Sequence, residues 1–148
     1  MVRITTTAMA VDAELGDVEH RVQHAGPANE VTGQALRNAI LRNFRRGGLF
    51  PSKWRRSRRA KGFGGQTLVD KATLRNSMHA AHGDTWASAG TDVVYAGIHQ
   101  YGGLCGRNHA TNMPARPFLP IDEAGRLEPG LGRRIERIHA AWILEGRV

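Results

Sequence analysis

Six lysines and arginines within nine residues give this sequence its most evident chemistry. The run lies at 53–61, and the wider stretch 31–61 carries ten Lys/Arg and no acid. Such a run can bind phosphates, dock on an acidic protein surface, or only keep a loop solvated. Trp54 and Phe63 beside it could also stack on bases. All three interpretations stay open from the residues, and the candidate interface comprises Lys53, Trp54, Arg55, Arg56, Arg58, Arg59 and Lys61.

Metal and covalent chemistry are not indicated by the remaining reactive side chains. His20 and His24 have the spacing of two ligands on one helix face, but no HExxH pattern or spaced carboxylate accompanies them. Cys105 has His99 and His109 nearby in sequence, yet nothing marks an oxyanion hole or an orienting third group. We therefore predict no metal, no cofactor and no enzymatic activity.

Length and composition bound the class of protein. A chain of 148 residues with 41% hydrophobic residues is predicted to form a single domain over 1–148. One cysteine excludes an internal disulfide framework and suits a reducing cytoplasm. No secretory signal and no apolar run of about 18 residues is found, so we expect synthesis in the cytoplasm and no membrane partner.

Hydrophobic periodicity predicts the helices that must position these residues. Apolar residues recur at helical spacing over 12–24, 29–46 and 131–144, and the residues from Thr67 to His79 read as a further helix with Thr67 as its cap. Residues 3–8 are prone to form a short strand or an arm. Residues 47–66, basic and bounded by glycine, are predicted to be a long mobile loop.

The strands are predicted in the second half of the chain. Residues 79–82 and 86–90 read as a hairpin, and 93–100 as a buried strand with Val94, Ala96 and Ile98 toward the core. Residues 102–113 read as loop, and two prolines hold 114–119 extended. The fold class is therefore α+β, with a small, mainly antiparallel sheet packed against three to four helices and a long basic loop.

A second group of candidate interface residues follows the predicted strand. His99, Gln100 and Tyr101 end it, and they either make ordinary strand-end hydrogen bonds or meet a neighbouring subunit. Arg116 lies between Pro114 and Pro117, and a guanidinium held in this way binds a carboxylate at low entropic cost. We predict that Arg116 and Phe118 face a neighbour.

Four segments in this order resemble the virion-morphogenesis (tail-completion) proteins of Mu-like tailed phages. They are an N-terminal helical part followed by the basic linker FPSKW from Phe50, LVDKATLRNS from Leu68, GTD from Gly90 leading into YAGIHQYGG, and PARPFL from Pro114. Together they cover residues from about 30 to 125. The family often has Thr-Gly before the leucine of the second segment, whereas this chain has Lys71-Ala72-Thr73.

The resemblance implies a structural role in joining the DNA-filled head to the tail. Similar neck and tail-completion proteins form rings, usually of six α+β subunits. The expected partners are further copies of the chain and other phage neck and tail proteins, with non-specific contact to DNA in the channel, at the head–tail junction of the virion. A basic nucleic-acid-binding protein that uses the 45–61 arm is the alternative function.

Overall fold

The computed structural model describes the backbone of residues 5–148 and the side chains of residues 11–148. This part of the chain contains three long helices, three short ones and two separate two-stranded antiparallel sheets, which confirms the α+β class. The helices are α1 (Thr5–Gln23), α2 (Gly26–Arg46), α3 (Arg58–Gly62), α4 (Thr73–Asn76), α5 (Ala96–Tyr101) and α6 (Pro129–Glu145). The strands are β1 (His79–His82), β2 (Ala87–Gly90), β3 (Gly103–Cys105) and β4 (Thr111–Met113).

Helix α2 is the central element of the domain. A proline in its first turn favours the helical start, and Gly47 ends it in the left-handed conformation with φ 65°. One face packs against the β1–β2 hairpin, where Gly33 allows close approach to Ala80, and another packs against α6 through Ala35 and Leu131. Both long helices predicted for these regions, 29–46 and 131–144, are confirmed with slightly longer bounds.

The main core lies at the carboxyl end of α2. Phe44 is fully buried, and its ring centroid lies 5.5 Å from the rings of both Trp54 and Phe118. Ile40, Leu74 and Met78 complete this cluster. Aromatic pairs at this separation add to the stabilisation from buried apolar area. Segments that are distant in sequence are therefore joined around one phenylalanine.

Helix α1 begins earlier than predicted, at Thr5 instead of residue 12. Residues 5–8 are thus helical, and the predicted strand or arm at 3–8 is wrong for them, while residues 3 and 4 lie outside the described residues. Asp12 is consequently a helix-interior residue. No helix in the part of the chain that the structure describes is both long enough and apolar enough to cross a membrane.

The hairpin prediction is confirmed, whereas the predicted strand at 93–100 is wrong. Strands β1 and β2 pair antiparallel with His79 opposite Gly90. Residues 96–101 instead form α5, in which Ala96 packs against the core and Gln100 is buried. Val93, ahead of this helix, also packs against the core, whereas Val94 is 99% exposed. A short apolar run fits a buried strand and a buried helix equally well, so periodicity alone could not separate them. The predicted loop 102–113 contains the small β3–β4 hairpin.

The predicted helix at 67–79 is largely absent. Leu68 and Ala72 adopt left-handed backbone conformations, with φ of 62° and 60°, and only Thr73–Asn76 is helical. Thr67 caps no helix, because its hydroxyl accepts a hydrogen bond from the Ser57 amide. Leu68 and Val69 pack against the core from this turn, so tertiary contacts override the local helix pattern.

The basic segment 47–66 is irregular up to Ser57 and then forms α3, which the sequence analysis missed. The Ser57 hydroxyl accepts a hydrogen bond from the Ala60 amide and so caps this helix. Trp54 and Ala60 are buried and anchor the segment to the domain. Gly48, with φ 89°, is required at its start, because a Cβ there would lie 2.6 Å from the Ser52 carbonyl oxygen.

Candidate interaction groove

An open groove of about 1140 Å³ lies beside the basic segment. Four stretches of chain form it: residues 55–61, 68–74, 95–99 and 110–116. Its cations are Arg55, Arg56, Arg58, Arg59, Lys61, Lys71 and Arg116, and Asp70 is the single carboxylate in its wall. Leu68, Leu74, Tyr95 and Met113 add apolar surface. The groove therefore offers positive charge around an apolar floor, which suits an anionic, partly apolar ligand.

Most of the positive charge in the groove is available to a partner. Arg59 is the exception, because it contacts Asp70 at 3.4 Å and donates hydrogen bonds to the carbonyl oxygens of Gln66 and Val69. Arg56 donates a hydrogen bond to the Ala60 carbonyl oxygen. Within residues 11–148, the remaining exposed cations form no ion pair; they are Arg55, Arg58, Lys61 and Lys71.

Arg116 is the deepest cation of the groove. Its side chain is only 6% exposed, its Nε donates a hydrogen bond to the Arg55 carbonyl oxygen at 3.2 Å, and its Nη1 lies 3.5 Å from the Met113 sulfur. Burial, together with the neighbouring charge of Arg55, lowers its pKa, but a guanidinium stays charged in proteins. Since no carboxylate of the described chain pairs with it, this buried charge is uncompensated.

His99 lies beside Arg116 in the groove wall. Burial, and secondly the Arg116 charge, lowers the pKa of its imidazole below the usual 6.5. Its Nδ1 is buried and finds no hydrogen-bond partner among the residues with described side chains. The His99 carbonyl oxygen accepts a hydrogen bond of 2.7 Å from the Arg116 amide. Arg116 and His99 are thus neighbouring groove residues whose polar groups are not fully satisfied within the described subunit. The Arg116 charge has no carboxylate partner there, and His99 Nδ1 has no hydrogen-bond partner.

Three buried side chains hold the segment 114–119 that carries Arg116. Trp54 Nε1 donates to the Pro117 carbonyl oxygen at 2.7 Å, and Gln100 Oε1 accepts from the Phe118 and Leu119 amides at 2.9 and 3.1 Å. Asn43 Nδ2 donates to the carbonyl oxygens of Phe118 and Phe50 at 3.0 and 3.1 Å. Arg116 is therefore positioned by the core and by the basic segment together.

The predicted interface residues fall into three sets: those in the groove, those buried inside the subunit, and two that lie in neither place. The groove contains Arg55, Arg56, Arg58, Arg59, Lys61, His99 and Arg116. Trp54, Gln100 and Phe118 are buried inside the subunit instead, at 7%, 6% and 3% exposure. The expectations that Phe118 faces a neighbour and that Trp54 stacks on bases are therefore wrong in this structure, because both side chains form the core. Lys53 lies outside the groove and donates to the Arg46 carbonyl oxygen, and Tyr101 is 75% exposed.

Asn43 and Lys71 are functional candidates that the sequence analysis missed. Asn43 also accepts hydrogen bonds from the Leu49 and Phe50 amides, so its amide group is fully used. Its place between Ile40 and Phe44 on the apolar face of α2 was the available signal. Lys71 was separated from the basic run by nine residues, and only the left-handed turn at Ala72 brings it to the groove.

Taken together, fold and site define a small α+β protein with an open basic groove. The profile of the Phage virion morphogenesis family matches residues 7–129, and the chain belongs to this family. This confirms the resemblance found in the sequence, and it gives the chain a role in the assembly of phage particles.

Two curated relatives carry consistent names. The chain is 32% identical to "Mu-like prophage FluMu G protein 2" of Haemophilus influenzae over 124 residues, which cover 82% of this chain and 86% of the relative. It is also 32% identical to "Putative capsid assembly protein G" of Escherichia phage Mu over 65 residues, which cover 43% of this chain and 42% of that protein. No solved structure matches the chain significantly.

Proposed function

We propose that the protein is a structural subunit of a ring at the head–tail junction of the virion. As a neck or tail-completion (tail-terminator) protein, it joins the tail to the DNA-filled head, and the ring contains six copies, as in similar neck and tail-completion proteins. Family membership and the names of the two relatives, which concern phage and capsid assembly, support this proposal. The proposed role is mechanical and needs neither a cofactor nor a catalytic group.

The extent of the accessible surface is the structural observation that supports association of the subunit. The chain exposes 10180 Å², whereas a compact monomer of 16.2 kDa is expected to expose only about 7500 Å². The excess is larger than the roughly 1600 Å² that one subunit buries in two interfaces of standard size. A subunit of a closed ring needs two such faces, one for each neighbour.

Exposed apolar side chains give the same indication. Val94 is 99% exposed, Phe63 91%, Tyr101 75% and Leu144 72%. Single apolar residues on a surface are ordinary, but several near-complete exposures on a small domain are typical of surfaces that become covered by a partner. Ring closure would remove part of this area from water.

Reconstruction of intact particles tests the proposal directly. The expected result is a symmetric ring of this protein at one axial position between the head and the tail. Two findings together would rule the proposal out: absence of the protein from purified particles, and a free protein that stays monomeric at every concentration. Cys105→Ser, which removes the sole cysteine, is expected to leave particle yield unchanged.

Non-specific DNA binding is a second candidate, favoured by the exposed groove cations without an acidic partner in the described chain. Fluorescence anisotropy with duplex DNA should then show affinity that falls steeply with salt. Replacing Arg55, Arg58 and Lys61 by Ala should abolish this binding, while the same change at Arg133, Arg134 and Arg137 on α6 should affect it little. No binding at low salt would exclude the candidate.

A further inference from the structure

Over its described side chains, helix α1 is the least covered of the three long helices. All side chains from Val11 to His24 are exposed except Val18 and Arg21, which are half-buried. Arg21 anchors the helix, since its Nη1 donates to the Ile143 carbonyl oxygen at 2.8 Å and its own carbonyl oxygen accepts from Trp142 Nε1 at 2.9 Å. Helices draw most of their stability from packing, so a helix held at one end alone needs a partner surface.

The exposed surface of α1 is amphipathic and acidic. Val11, Leu15 and Val22 are 48%, 60% and 54% exposed, and their spacing of four and seven residues places them on one stripe. Four carboxylates flank this stripe: Asp12 and Glu19 on one side, Glu14 and Asp17 on the other. Arg21, at the anchored end, is the only Lys or Arg among residues 11–24.

The groove described above is the electrostatic complement of this helix. Its exposed cations surround an apolar floor, whereas α1 has carboxylates around an apolar stripe. The buried Arg116 adds a charge that finds no carboxylate partner in the described chain. A carboxylate from α1 would supply this partner, and desolvated charge-assisted hydrogen bonds to arginine are among the stronger polar contacts.

The described side chains of helix α1, at residues 11–23, do not line the groove of their own subunit. The anchored end of α1 joins the start of α2, whereas the groove follows the end of α2. The two ends of this 21-residue helix are separated by about 30 Å at 1.5 Å per residue. The acidic helix and the basic groove are thus joined to opposite ends of α2, and a head-to-tail contact uses two different faces of the subunit.

We propose that α1 of one subunit docks in the basic groove of the next copy, and that this contact closes the ring. This inference rests on the ring function proposed above and names the contact between its subunits. The apolar stripe covers Leu68 and Tyr95, and the flanking carboxylates pair with the groove cations, Arg116 included. Around the ring, α1 of each subunit docks in the groove of one neighbour, and its own groove binds α1 of the other neighbour.

Charge reversal tests this contact. The helix variant carries Asp12→Lys, Glu14→Lys and Glu19→Lys, and the groove variant carries Arg55→Glu, Arg58→Glu and Lys61→Glu. Each variant alone should remain monomeric in light scattering, because like charges meet. An equimolar mixture should recover the wild-type mass, since the basic helix of the first variant fits the acidic groove of the second, and the reverse pair is matched as well. Arg133→Glu, Arg134→Glu and Arg137→Glu on α6 provide a control of equal charge that should assemble normally.

The outcomes separate this inference from the ring proposal. A wild-type ring that persists in both single variants would overturn the docking of α1 while leaving the ring function intact. A ring lost in both variants and not recovered on mixing would also overturn it. A wild-type protein that is monomeric and absent from particles would instead remove the ring function itself.

Cysteine cross-linking covers the case in which the ring forms only on the particle. Glu14→Cys and Arg58→Cys are placed on separate chains in a Cys105→Ser background, and both chains are incorporated into particles together. Oxidation should join the two chains through residues 14 and 58, as identified by mass spectrometry, and reduction should separate them. As a control, Glu136→Cys replaces Glu14→Cys and should form no disulfide with residue 58. Absence of the disulfide between residues 14 and 58 would contradict the proposed contact.

Discussion

The indole nitrogen of Trp54 donates a hydrogen bond of 2.7 Å to the carbonyl oxygen of Pro117. The same indole packs edge-on against Phe44, with 5.5 Å between ring centroids. One side chain therefore ties the basic segment both to the core and to the segment that carries Arg116. The shape of the groove thus depends on the stability of the core beneath it.

Substitutions at Trp54 should separate the two contributions. Trp54→Phe keeps the aromatic packing but leaves a half-buried carbonyl oxygen without its donor, which should lower the free energy of unfolding by about 1–3 kcal/mol. Trp54→Ala also opens a cavity and should lower it by about 3–5 kcal/mol. Urea denaturation followed by circular dichroism measures both. A Trp54→Phe variant as stable as the wild type would show that the hydrogen bond contributes nothing, and equal losses in the two variants would show that the aromatic packing adds nothing to it.

Ala72 is held in a left-handed conformation, with φ 60°, at the turn that brings Lys71 to the groove. The family often has Thr-Gly before the leucine in this stretch, and glycine adopts this conformation without strain. Ala72→Gly should therefore raise the free energy of unfolding by about 0.5–1 kcal/mol, because relief of strain exceeds the added chain entropy of glycine.

The matched control for Ala72 is its neighbour Thr73, which begins the right-handed helix α4. Thr73→Gly should destabilise the protein slightly, because glycine there costs entropy and relieves no strain. Thermal unfolding of both variants gives the comparison. A lower melting temperature for Ala72→Gly than for the wild type would contradict the assignment of strain to this turn.

The sequence was sufficient to predict long helices, in which the apolar pattern repeats many times, and a hairpin with clear turn residues. Helices α2 and α6 were predicted because their apolar residues repeat over four or more turns, and the β1–β2 hairpin because turn residues separate two short runs. Helix α5 could not be distinguished from a strand, since it spans only six residues. The turn at Leu68 and Ala72 depends on core contacts that no local pattern contains.

The groove was predictable only as a list of cations. Arg55, Arg58 and Lys61 were identified from their density in the sequence, but Lys71 and His99 join them through folding of distant segments. The burial of Trp54 and Phe118 was missed, because an aromatic residue beside charges or prolines fits an interface as well as a core. Local sequence therefore indicated the charge of the site but not its shape.

His99 should make the stability of the subunit depend on pH. Its pKa is lowered in the folded state by burial and by Arg116, whereas in the unfolded chain it returns to about 6.5. Below pH 6.5 the unfolded state thus binds a proton that the folded state does not, so the free energy of unfolding falls as the pH falls. Above pH 6.5 both states are neutral and this loss is absent.

Urea denaturation between pH 7.5 and pH 5 measures this effect. His99→Gln should flatten the dependence in this window. A wild-type stability that stays constant from pH 7.5 to pH 5 would show that His99 takes up its proton equally in the folded and unfolded states.

Arg116 and Arg42 provide opposite cases of a groove charge and a structural charge. Arg42 pairs with Glu128 at 2.8 Å inside the subunit, whereas Arg116 is buried with no carboxylate partner in the described chain.

Arg116→Met keeps the volume and removes the uncompensated charge, so it should change the free energy of unfolding by less than about 1 kcal/mol while weakening association at least tenfold. Arg42→Met leaves Glu128 unpaired, so it should destabilise the fold by about 1 kcal/mol and leave association unchanged once folded. Urea denaturation measures the free energy of unfolding, and sedimentation measures association. If Arg116→Met lowered both by the same amount, this arginine would belong to the fold and not to the contact between subunits.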